Sequence, residues 1–326
     1  MQPECAPVLV IGFNRPDFMR AQIAAVRAAR PARLYVAVDG AREGRPDEAA
    51  RCAGVRECVK LVDWPCEVKT LFREKNLGCK LAPAQAIDWF FSQEESGIIL
   101  EDDTHPTLDF FRFVSEVLKR YRDEERVGMV SGFNFFDLQG DRTKSYHFSR
   151  IAMMSGGWAT WRRVWRLYDI EMRAYLPQLD EITRRTPMTA YYRRVFGREA
   201  RRAKERNDAW DYQFTLMMFA TGKLGIVPRV QLITNVGIDV NEATHTGGYN
   251  YYAPRWSVVG TMDNPIIHPE AIVCDEWADR RREQMEGAIF PRGLTWLGCK
   301  FPRLCPFLSM FGRIVESALP IVFRYP

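Results

Sequence analysis

The sequence contains no run of about 18 uncharged apolar residues, the length that a membrane-spanning helix requires. The residues before the first predicted strand, at 7–13, also lack the charged region and long apolar stretch of a secretory signal. We therefore expect a cytoplasmic protein without a bilayer span of its own.

Cysteines with the spacing of a metal site are absent as well. The chain has eight cysteines, but no two of them form a Cys-x-x-Cys pair. In a chain of 326 residues without a secretory signal, reduced and mostly buried thiols are expected rather than disulfides. A zinc site is not expected, for the same reason.

Two nucleotide-binding signatures are missing. No Gly-x-Gly-x-x-Gly follows the first predicted strand and no P-loop occurs, which weighs against dinucleotide and ATP sites of those kinds. The net charge is only +5 and no nucleic-acid-binding module is present, so we expect no nucleic-acid partner. What the composition does provide is 47% apolar residues, enough for a substantial core.

The most informative segment is a short apolar run that ends in Glu101, Asp102 and Asp103. Ligands of open α/β sheets bind just beyond the carboxyl ends of the strands, where these acids fall. Three adjacent negative charges favour a cation, and Mg²⁺ or Mn²⁺ is commonly held by one or two carboxylates together with substrate phosphates. The alternative is a solvated acidic turn in which Asp103 or Thr104 caps the next helix. The triplet alone leaves both interpretations open.

Strands and helices alternate through the first half of the chain. Strands are predicted at 7–13, 34–38, 68–72 and 97–100, and helices at 16–29, 46–60 and 83–91. This alternation predicts an α/β fold with a mostly parallel, doubly wound sheet and helices on both faces. Right-handed crossovers then place Asp39, the turn at 75–78 and the acidic triplet on one rim. Helix N-termini at that rim favour phosphate groups.

The second half of the chain is less regular. We predict a helix at 108–121, a strand at 127–131, a helix at 209–220 with Asp211 in its opening segment, and a strand at 224–227. The segment 156–161 has the glycines and tryptophans of a sugar-facing loop, or of a glycine turn packed beneath the tryptophans. An acid at a helix start is usually a cap, so Asp211 is ambiguous by itself.

Two further segments carry an uneven charge or apolar pattern. Nine basic residues lie between 184 and 206, where they either meet an anionic partner or form an ordinary solvated helix face. The basic and aromatic tail at 286–326 either packs on its own domain or lies on a membrane surface. We divide the chain into a domain at 1–285, with a nucleotide-binding half at 1–131 and an acceptor-side half at 132–285, followed by this tail.

Taken together, the motifs resemble nucleotide-sugar glycosyltransferases of the GT-A fold over about residues 7–250. The closest likeness is to bacterial family-2-like enzymes of surface-polysaccharide loci, some described as haemolytic-protein-like. A more distant likeness is to the Golgi N-acetylglucosaminyltransferase that begins complex N-glycans. The matching segments, in chain order, are 12–16 (GFNRP), 39–40 (DG), 76–80 (NLGCK), 98–103 (IILEDD), 210–213 (WDYQ), 235–237 (NVG) and 243–246 (ATHT).

The resemblance implies a donor site for a nucleoside-diphosphate sugar, most often a uridine one. Asp39 would contact the nucleoside, and the turn that holds Asn76, Gly78 and Lys80 would lie near the base and phosphates. Glu101 and Asp102 would face the ribose or metal-bound water.

The resemblance also implies the catalytic groups. Asp103 would ligate Mn²⁺ or Mg²⁺, and His245 would lie near the diphosphate or the metal. Asp211 would be the catalytic base of an inverting enzyme, with Trp210 beside it for sugar stacking. After the triplet this chain has Thr104 and His105 where the likeness implies a cysteine–leucine pair, so His105 is either an extra ligand or, as we favour, a residue at the start of the next helix.

The resulting hypothesis is an inverting, metal-dependent glycosyltransferase with a glycan or lipid-linked oligosaccharide as acceptor, located in the cytoplasm or at the inner face of the membrane. Two alternatives remain. A sugar-phosphate nucleotidyltransferase shares the α/β core, but it normally has a glycine-rich basic loop after the first strand, which segment 12–16 is not. A degenerate transferase that only binds a glycan or a partner is the other alternative.

Overall fold

The computed structural model of the chain describes residues 4–134, 143–151, 154, 156–205, 209–235 and 259–287, together with residues 297, 301, 304 and 307. Its first third follows the predicted alternation of strands and helices. The strands are β1 (Val8–Gly12), β2 (Arg33–Val38), β3 (Glu67–Phe72) and β4 (Ser96–Glu101). The helices are α1 (Pro16–Ala29), α2 (Pro46–Glu57), which runs into a 3₁₀ turn (Cys58–Leu61), and α3 (Gly78–Phe91).

The remainder of the described chain adds shorter strands and six helices. The strands are β5 (Thr104–Pro106), β6 (Val127–Ser131), β7 (Tyr146–Ser149), β8 (Gly157–Trp161), β9 (Leu224–Pro228) and β10 (Ile233–Asn235). The helices are α4 (Leu108–Arg120), α5 (Arg162–Trp165), α6 (Leu179–Arg185), α7 (Ala190–Glu205), α8 (Asp211–Thr221) and α9 (Glu276–Gly287). A 3₁₀ turn (Leu176–Gln178) precedes α6.

Eight strands form one sheet in the order β3-β2-β1-β4-β8-β6-β9-β7, while β5 and β10 form a separate antiparallel pair. Within the large sheet only β7 and β8 run against the other strands. The prediction of a mostly parallel sheet flanked by helices is therefore confirmed. Strands from both of the predicted halves, 1–131 and 132–285, belong to this sheet, and one apolar core lies against them.

Strands β1, β2 and β4 are buried on both faces, as is usual for parallel strands covered by helices. Their apolar runs leave no solvent face, so the first polar side chains after each strand fall at its carboxyl end. The polar side chains that could take part in binding or catalysis therefore lie together at one edge of the sheet.

The segment 156–161 is a central strand and not a sugar-facing loop. β8 pairs antiparallel with β4 and β6, and Trp158 and Trp161 are 1% and 2% exposed. Gly156 precedes the strand with φ of +76°, and a Cβ built there would lie 2.0 Å from Cγ2 of Thr104. The sugar-facing loop is therefore wrong, and of the glycine-turn interpretation only the turn at Gly156 and the burial of the tryptophans are found, because the rest of the segment is a strand.

Helix α3 begins five residues before the predicted start at Pro83. We expected proline in the first turn, where its missing N–H costs nothing. In the structure Pro83 lies inside the helix, and the first N–H groups of the helix are satisfied by a side chain from another element. A rule based on neighbouring residues does not detect a cap of that kind.

Two further expectations concern the thiols and the membrane. The cysteines of the described part (Cys5, Cys52, Cys58, Cys66, Cys79 and Cys274) form no disulfides with one another, and of these Cys52 and Cys58 are buried whereas Cys79 is exposed. None of the described helices combines the length and the apolar character needed to cross a bilayer. Most of the tail at 286–326 lies outside the described residues.

Candidate functional site

The carboxyl ends of β1, β2 and β4 meet at one edge of the sheet. The N–H of Asp39, directly after β2, donates to the carbonyl of Gly12 at the end of β1 (3.1 Å). The N–H of Phe13 in turn donates to Oδ2 of Asp102, directly after β4 (3.4 Å). Three loops that are far apart in the sequence are thereby joined within one site.

Asp39 caps helix α3 from a distance. Its carboxylate accepts hydrogen bonds from the N–H groups of Leu77 and Gly78 (both 3.1 Å), from Nδ2 of Asn76 (3.0 Å) and from the N–H of Gly40 (2.9 Å). Burial raises the pKa of Asp39, although these hydrogen bonds lower it. The carboxylate therefore holds the 76–78 turn in place, and contact with a nucleoside stays a prediction for this residue.

Both carboxylate oxygens of Asp102 contact other residues of the chain. The residue is 3% exposed, its Oδ1 forms an ion pair with Nη2 of Arg15, and its Oδ2 accepts from Phe13. Burial raises the pKa of Asp102 to about 6, and the Arg15 charge opposes this rise. With both oxygens engaged, Asp102 positions the loop after β1.

Asp103 differs from its neighbour. Its Oδ2 lies 3.4 Å from Nη2 of Arg15, whereas its buried Oδ1 has no hydrogen-bond partner among the described residues. A buried carboxylate oxygen without a partner is costly unless a ligand satisfies it. Within the triplet, Asp103 is thus the member with a fully buried oxygen that the described residues leave unsatisfied.

Glu101 carries the strongest electrostatic perturbation of the site. Burial, followed by the charges of Asp103, Asp102 and Asp211, raises the pKa of Glu101 to about 8. The contribution of Asp211 is informative, because these two residues are 110 positions apart in the sequence. The fold brings the predicted base and the acidic triplet within electrostatic range of each other.

The segment after the triplet is a strand and not the start of a helix. β5 pairs antiparallel with β10, and this pairing sets Thr104 opposite Asn235 and His105 opposite Thr234. Helix α4 is capped by Thr107, whose Oγ1 accepts from the N–H of Phe110 (3.2 Å). The interpretation in which Asp103 or Thr104 caps this helix is therefore wrong, and so is the placement of His105 at a helix start.

His105 itself has the features of a ligand. Its Nε2 is buried and has no hydrogen-bond partner in the described part of the chain. Burial lowers the pKa of His105, and the Asp103 charge partly offsets this effect. The imidazole is consequently neutral at neutral pH, the form that binds metal ions.

Asp211 is the first residue of α8 and is exposed. Its Oδ1 accepts a hydrogen bond from the N–H of Tyr212 (3.0 Å). The cap position belongs to Trp210, which is 7% exposed and stacks on Trp158 with 5.6 Å between the ring centroids. Trp210 therefore has no face for sugar stacking, contrary to our expectation, because its ring belongs to the core.

Lys80 and His245 complete the predicted set. Lys80 is 6% exposed, and its Nζ lies 3.5 Å from the carbonyl of Ala203 near the end of α7. His245 lies outside the described residues, as do residues 236–258 in general, so its part in the site stays a prediction. Asn235 is the member of the 235–246 motifs whose position the structure gives.

The basic segment 184–206 includes ion pairs with acids of its own region. Arg198 and Arg202 contact Glu199 at 2.7 and 3.2 Å, and Arg201 contacts Asp180 at 2.6 Å. The three arginine side chains are at least half exposed, which is typical of a solvated helix face.

A carboxylate oxygen is the type of ligand that Mg²⁺ and Mn²⁺ favour in proteins, and Asp103 offers one. No group of three or more histidine, cysteine or acidic side chains arranged around a metal position occurs within the described residues. Among those residues, Oδ1 of Asp103 and Nε2 of His105 are buried and have no hydrogen-bond partner. Ions of this kind are often bound by one or two protein side chains, with water and substrate phosphates as the other ligands.

Arg15 is the residue of this site that the sequence pattern did not single out. It stands between β1 and α1 and contacts two members of the triplet. The available signal was a positively charged residue shortly after β1. It could be interpreted only once β1 was known to pair with β4, the strand that ends in the acidic triplet.

No protein-family model and no curated protein sequence matches the chain. Solved structures overlap with it in part. HddC from Yersinia pseudotuberculosis is 12% identical, with 48% of this chain and 77% of that chain covered and a TM-score of 0.31. The inositol-1-phosphate CTP transferase from T. maritima is 12% identical, with 69% and 86% covered and a TM-score of 0.36. UDP-glucose pyrophosphorylase complexed with UDP-glucose is 8% identical, with 68% and 90% covered and a TM-score of 0.31. Likeness this low carries no argument about the reaction, which must be argued from the chain's own residues.

Proposed function

We propose that this chain is an inverting, divalent-metal-dependent glycosyltransferase. It transfers a sugar from a nucleoside-diphosphate sugar, a uridine one, to a hydroxyl group of a bacterial surface glycan or its lipid-linked precursor. The observation that carries the proposal is the buried Oδ1 of Asp103, which has no partner among the described residues, and the exposed Asp211 supports it because its charge acts on the neighbouring Glu101.

Asp103 would hold the metal ion, with His105 as a second ligand and His245 as the ligand that the resemblance implies. A divalent ion bound there stabilises the negative charge that grows on the departing nucleoside diphosphate. The fit rests on donor chemistry, since Asp103 offers an oxygen and His105 a neutral imidazole nitrogen.

Asp211 would act as the general base. Its carboxylate accepts the proton of the acceptor hydroxyl while that oxygen attacks the anomeric carbon from the face opposite the leaving diphosphate. The bond between the sugar and the diphosphate breaks as the new glycosidic bond forms, so the configuration inverts. The exposed position of Asp211 supports this role, because an acceptor approaching from solvent can reach it.

The remaining residues would keep this geometry. Asp39 holds the 76–78 turn, and Asp102 with Arg15 holds the loop after β1, so these loops approach the donor in a fixed arrangement. Lys80 would contact the diphosphate, as the resemblance implies. Fixed loops of this kind lower the entropy that must be lost when the reactants align.

The decisive experiment measures the products formed from a panel of nucleotide sugars with Mn²⁺ and with EDTA. Free nucleoside diphosphate that requires Mn²⁺ supports glycosyl transfer, whereas release of pyrophosphate from a nucleoside triphosphate and a sugar phosphate supports the nucleotidyltransferase alternative. Absence of turnover together with absence of metal-dependent UDP binding would favour the binding module.

Two variants assign the roles. Asp211→Asn should lower turnover by about 100-fold or more while donor affinity stays unchanged. Asp103→Ala should abolish metal-dependent UDP binding. Asp47→Asn is the matched control, because Asp47 is another exposed acid in the first turn of a helix. Undiminished turnover of Asp211→Asn would remove this residue from the mechanism.

A further inference from the structure

Arg15 is the cation that the described structure places on the acidic triplet. Its Nη2 pairs with Oδ1 of Asp102 and lies 3.4 Å from Oδ2 of Asp103. The guanidinium carbon stands 4.9 Å from the centre of the Phe18 ring, and the side chain is 25% exposed. The guanidinium is therefore held between two elements and not left to move in solvent.

The two contacts of Arg15 are unequal. Both oxygens of Asp102 contact the chain, whereas among the described residues Asp103 makes only the long contact to Arg15 and its Oδ1 has no partner. Arg15 consequently completes the pairing of Asp102 and projects a positive charge onto Asp103. A positive charge beside Asp103 repels a divalent cation and attracts the phosphates of a nucleoside diphosphate.

We propose that Arg15 couples metal binding to nucleotide binding, because it weakens the binding of a divalent cation alone at Asp103 and strengthens the binding of a nucleoside diphosphate. The inference rests on the proposed function of this site. Under this coupling the cation binds together with the nucleotide, because the phosphates neutralise the charge of Arg15 and supply the remaining ligands of the metal ion.

The size of the effect follows from Coulomb's law. A unit charge about 5 Å from a divalent ion changes its affinity by well over tenfold at the effective dielectric constant of a protein surface. Solvent screening reduces this figure, since Arg15 is partly exposed. We expect a change of about tenfold or more in each affinity.

The test is the variant Arg15→Met, with two binding measurements. Mn²⁺ binding without nucleotide is followed by the electron paramagnetic resonance signal of the free ion, and UDP binding in EDTA is measured by calorimetry. We expect Mn²⁺ to bind at least about tenfold more tightly and UDP about tenfold more weakly. A residue with only a structural role would not strengthen Mn²⁺ binding when removed.

Arg20→Met is the matched control. Arg20 is on the same helix and pairs with Asp17 at the exposed surface, so its loss removes one positive charge without touching the triplet. Both affinities should stay at the wild-type values. Arg15→Lys keeps the charge and should also stay near wild type, and Arg15→Gln replaces Arg15→Met if the latter does not fold.

The failure of this inference is distinguishable from failure of the proposed function. If Mn²⁺-dependent UDP binding is lost in Asp103→Ala but Arg15→Met binds Mn²⁺ no more tightly than wild type, the coupling is refuted and the metal site stands. If Asp103→Ala binds Mn²⁺ and UDP like wild type, the metal site itself is refuted.

Discussion

The replacement of Asp39 tests whether this buried carboxylate is a structural cap or a ligand for the nucleoside. Asp39 accepts hydrogen bonds from four donors, two of which are the N–H groups at the start of α3. Helix α3 has no cap of its own, because the residue at the cap position, Leu77, carries no polar side chain. We expect Asp39→Ala to destabilise the protein and Asp39→Asn, which keeps one acceptor oxygen, to do so less.

The magnitude follows from the donors that lose their acceptor. A hydrogen bond to a charged group contributes about 1.5–3 kcal/mol, and loss of a helix cap costs about 0.5–2 kcal/mol. The turn at 76–78 is only partly buried, so water replaces some of these bonds. The expected loss in the free energy of unfolding is about 3–5 kcal/mol for Asp39→Ala and about 1–2 kcal/mol for Asp39→Asn.

Urea unfolding followed by circular dichroism measures this loss, and calorimetry of UDP binding is performed on the same variants. Asn76→Ala removes the hydrogen bond from Nδ2 to Asp39 together with the one to the carbonyl of Gly40, and should cost about 1–2 kcal/mol. It is the control that leaves the two N–H groups at the start of α3 bonded to Asp39. If Asp39→Ala unfolds at the wild-type urea concentration and loses only UDP affinity, the cap interpretation is refuted and Asp39 contacts the ligand directly.

Three more predictions concern neighbouring residues. In the buried Glu48, hydrogen bonds from Arg42 lower the pKa to about 2, so its stabilising effect is complete above the ordinary value of 4.5 and is lost as the pH falls from there toward 2. In urea unfolding, Glu48→Gln should cost about 1–2 kcal/mol at pH 7 and progressively less below pH 4.5, and a cost independent of pH would contradict this. His105→Asn should weaken Mn²⁺–UDP binding in calorimetry, because it removes the imidazole nitrogen that the proposed site assigns to the ion; an unchanged affinity would exclude His105 as a ligand. Lys80→Met should lower the affinity for UDP about tenfold and leave uridine unaffected in competition assays, and an equal loss for uridine would exclude a phosphate contact.

Local sequence patterns were sufficient for most of the sheet. The apolar runs that became β1, β2 and β4 have no polar face, so their burial follows from composition alone. Prolines at 16 and 46 correctly marked the first turns of two helices. These signals lie within a few residues of the element that they define, which is why the sequence predicts them.

The errors fall where a distant residue decides the local structure. Helix α3 begins at Gly78 because Asp39, after another strand, satisfies its first N–H groups. β5 is three residues long and exists as a strand because it pairs with β10, more than 120 residues later. Neither interaction leaves a periodic pattern in the segment that it organises.

The same reasoning explains which parts of the site the sequence predicts. The triplet is visible because its acids are adjacent, and its position beyond a buried strand follows from the fold class. The burial of Trp210 was not predictable, because its partner Trp158 lies on a strand whose place in the sheet the pattern did not reveal. Arg15 was missed for a similar reason, since its pairing depends on β1 lying beside β4.

Three adjacent carboxylates are tolerated at this edge because the chain treats each of them differently. Burial and the neighbouring acids raise the pKa of Glu101 to about 8, which opposes its ionisation, and the charge of Asp102 is paired with Arg15. Both effects reduce the repulsion within the triplet. Asp103 differs from both neighbours, because it has a buried oxygen that the described chain does not satisfy. An acidic turn that served only as a solvated cap would have no need of this arrangement, since water would screen its charges. Arg15 offsets part of the cost of burying Asp103, but it contacts Oδ2 and leaves the buried Oδ1 unsatisfied within the described chain. A bound cation would satisfy this oxygen, and this is the strongest physical argument that the edge is a binding site.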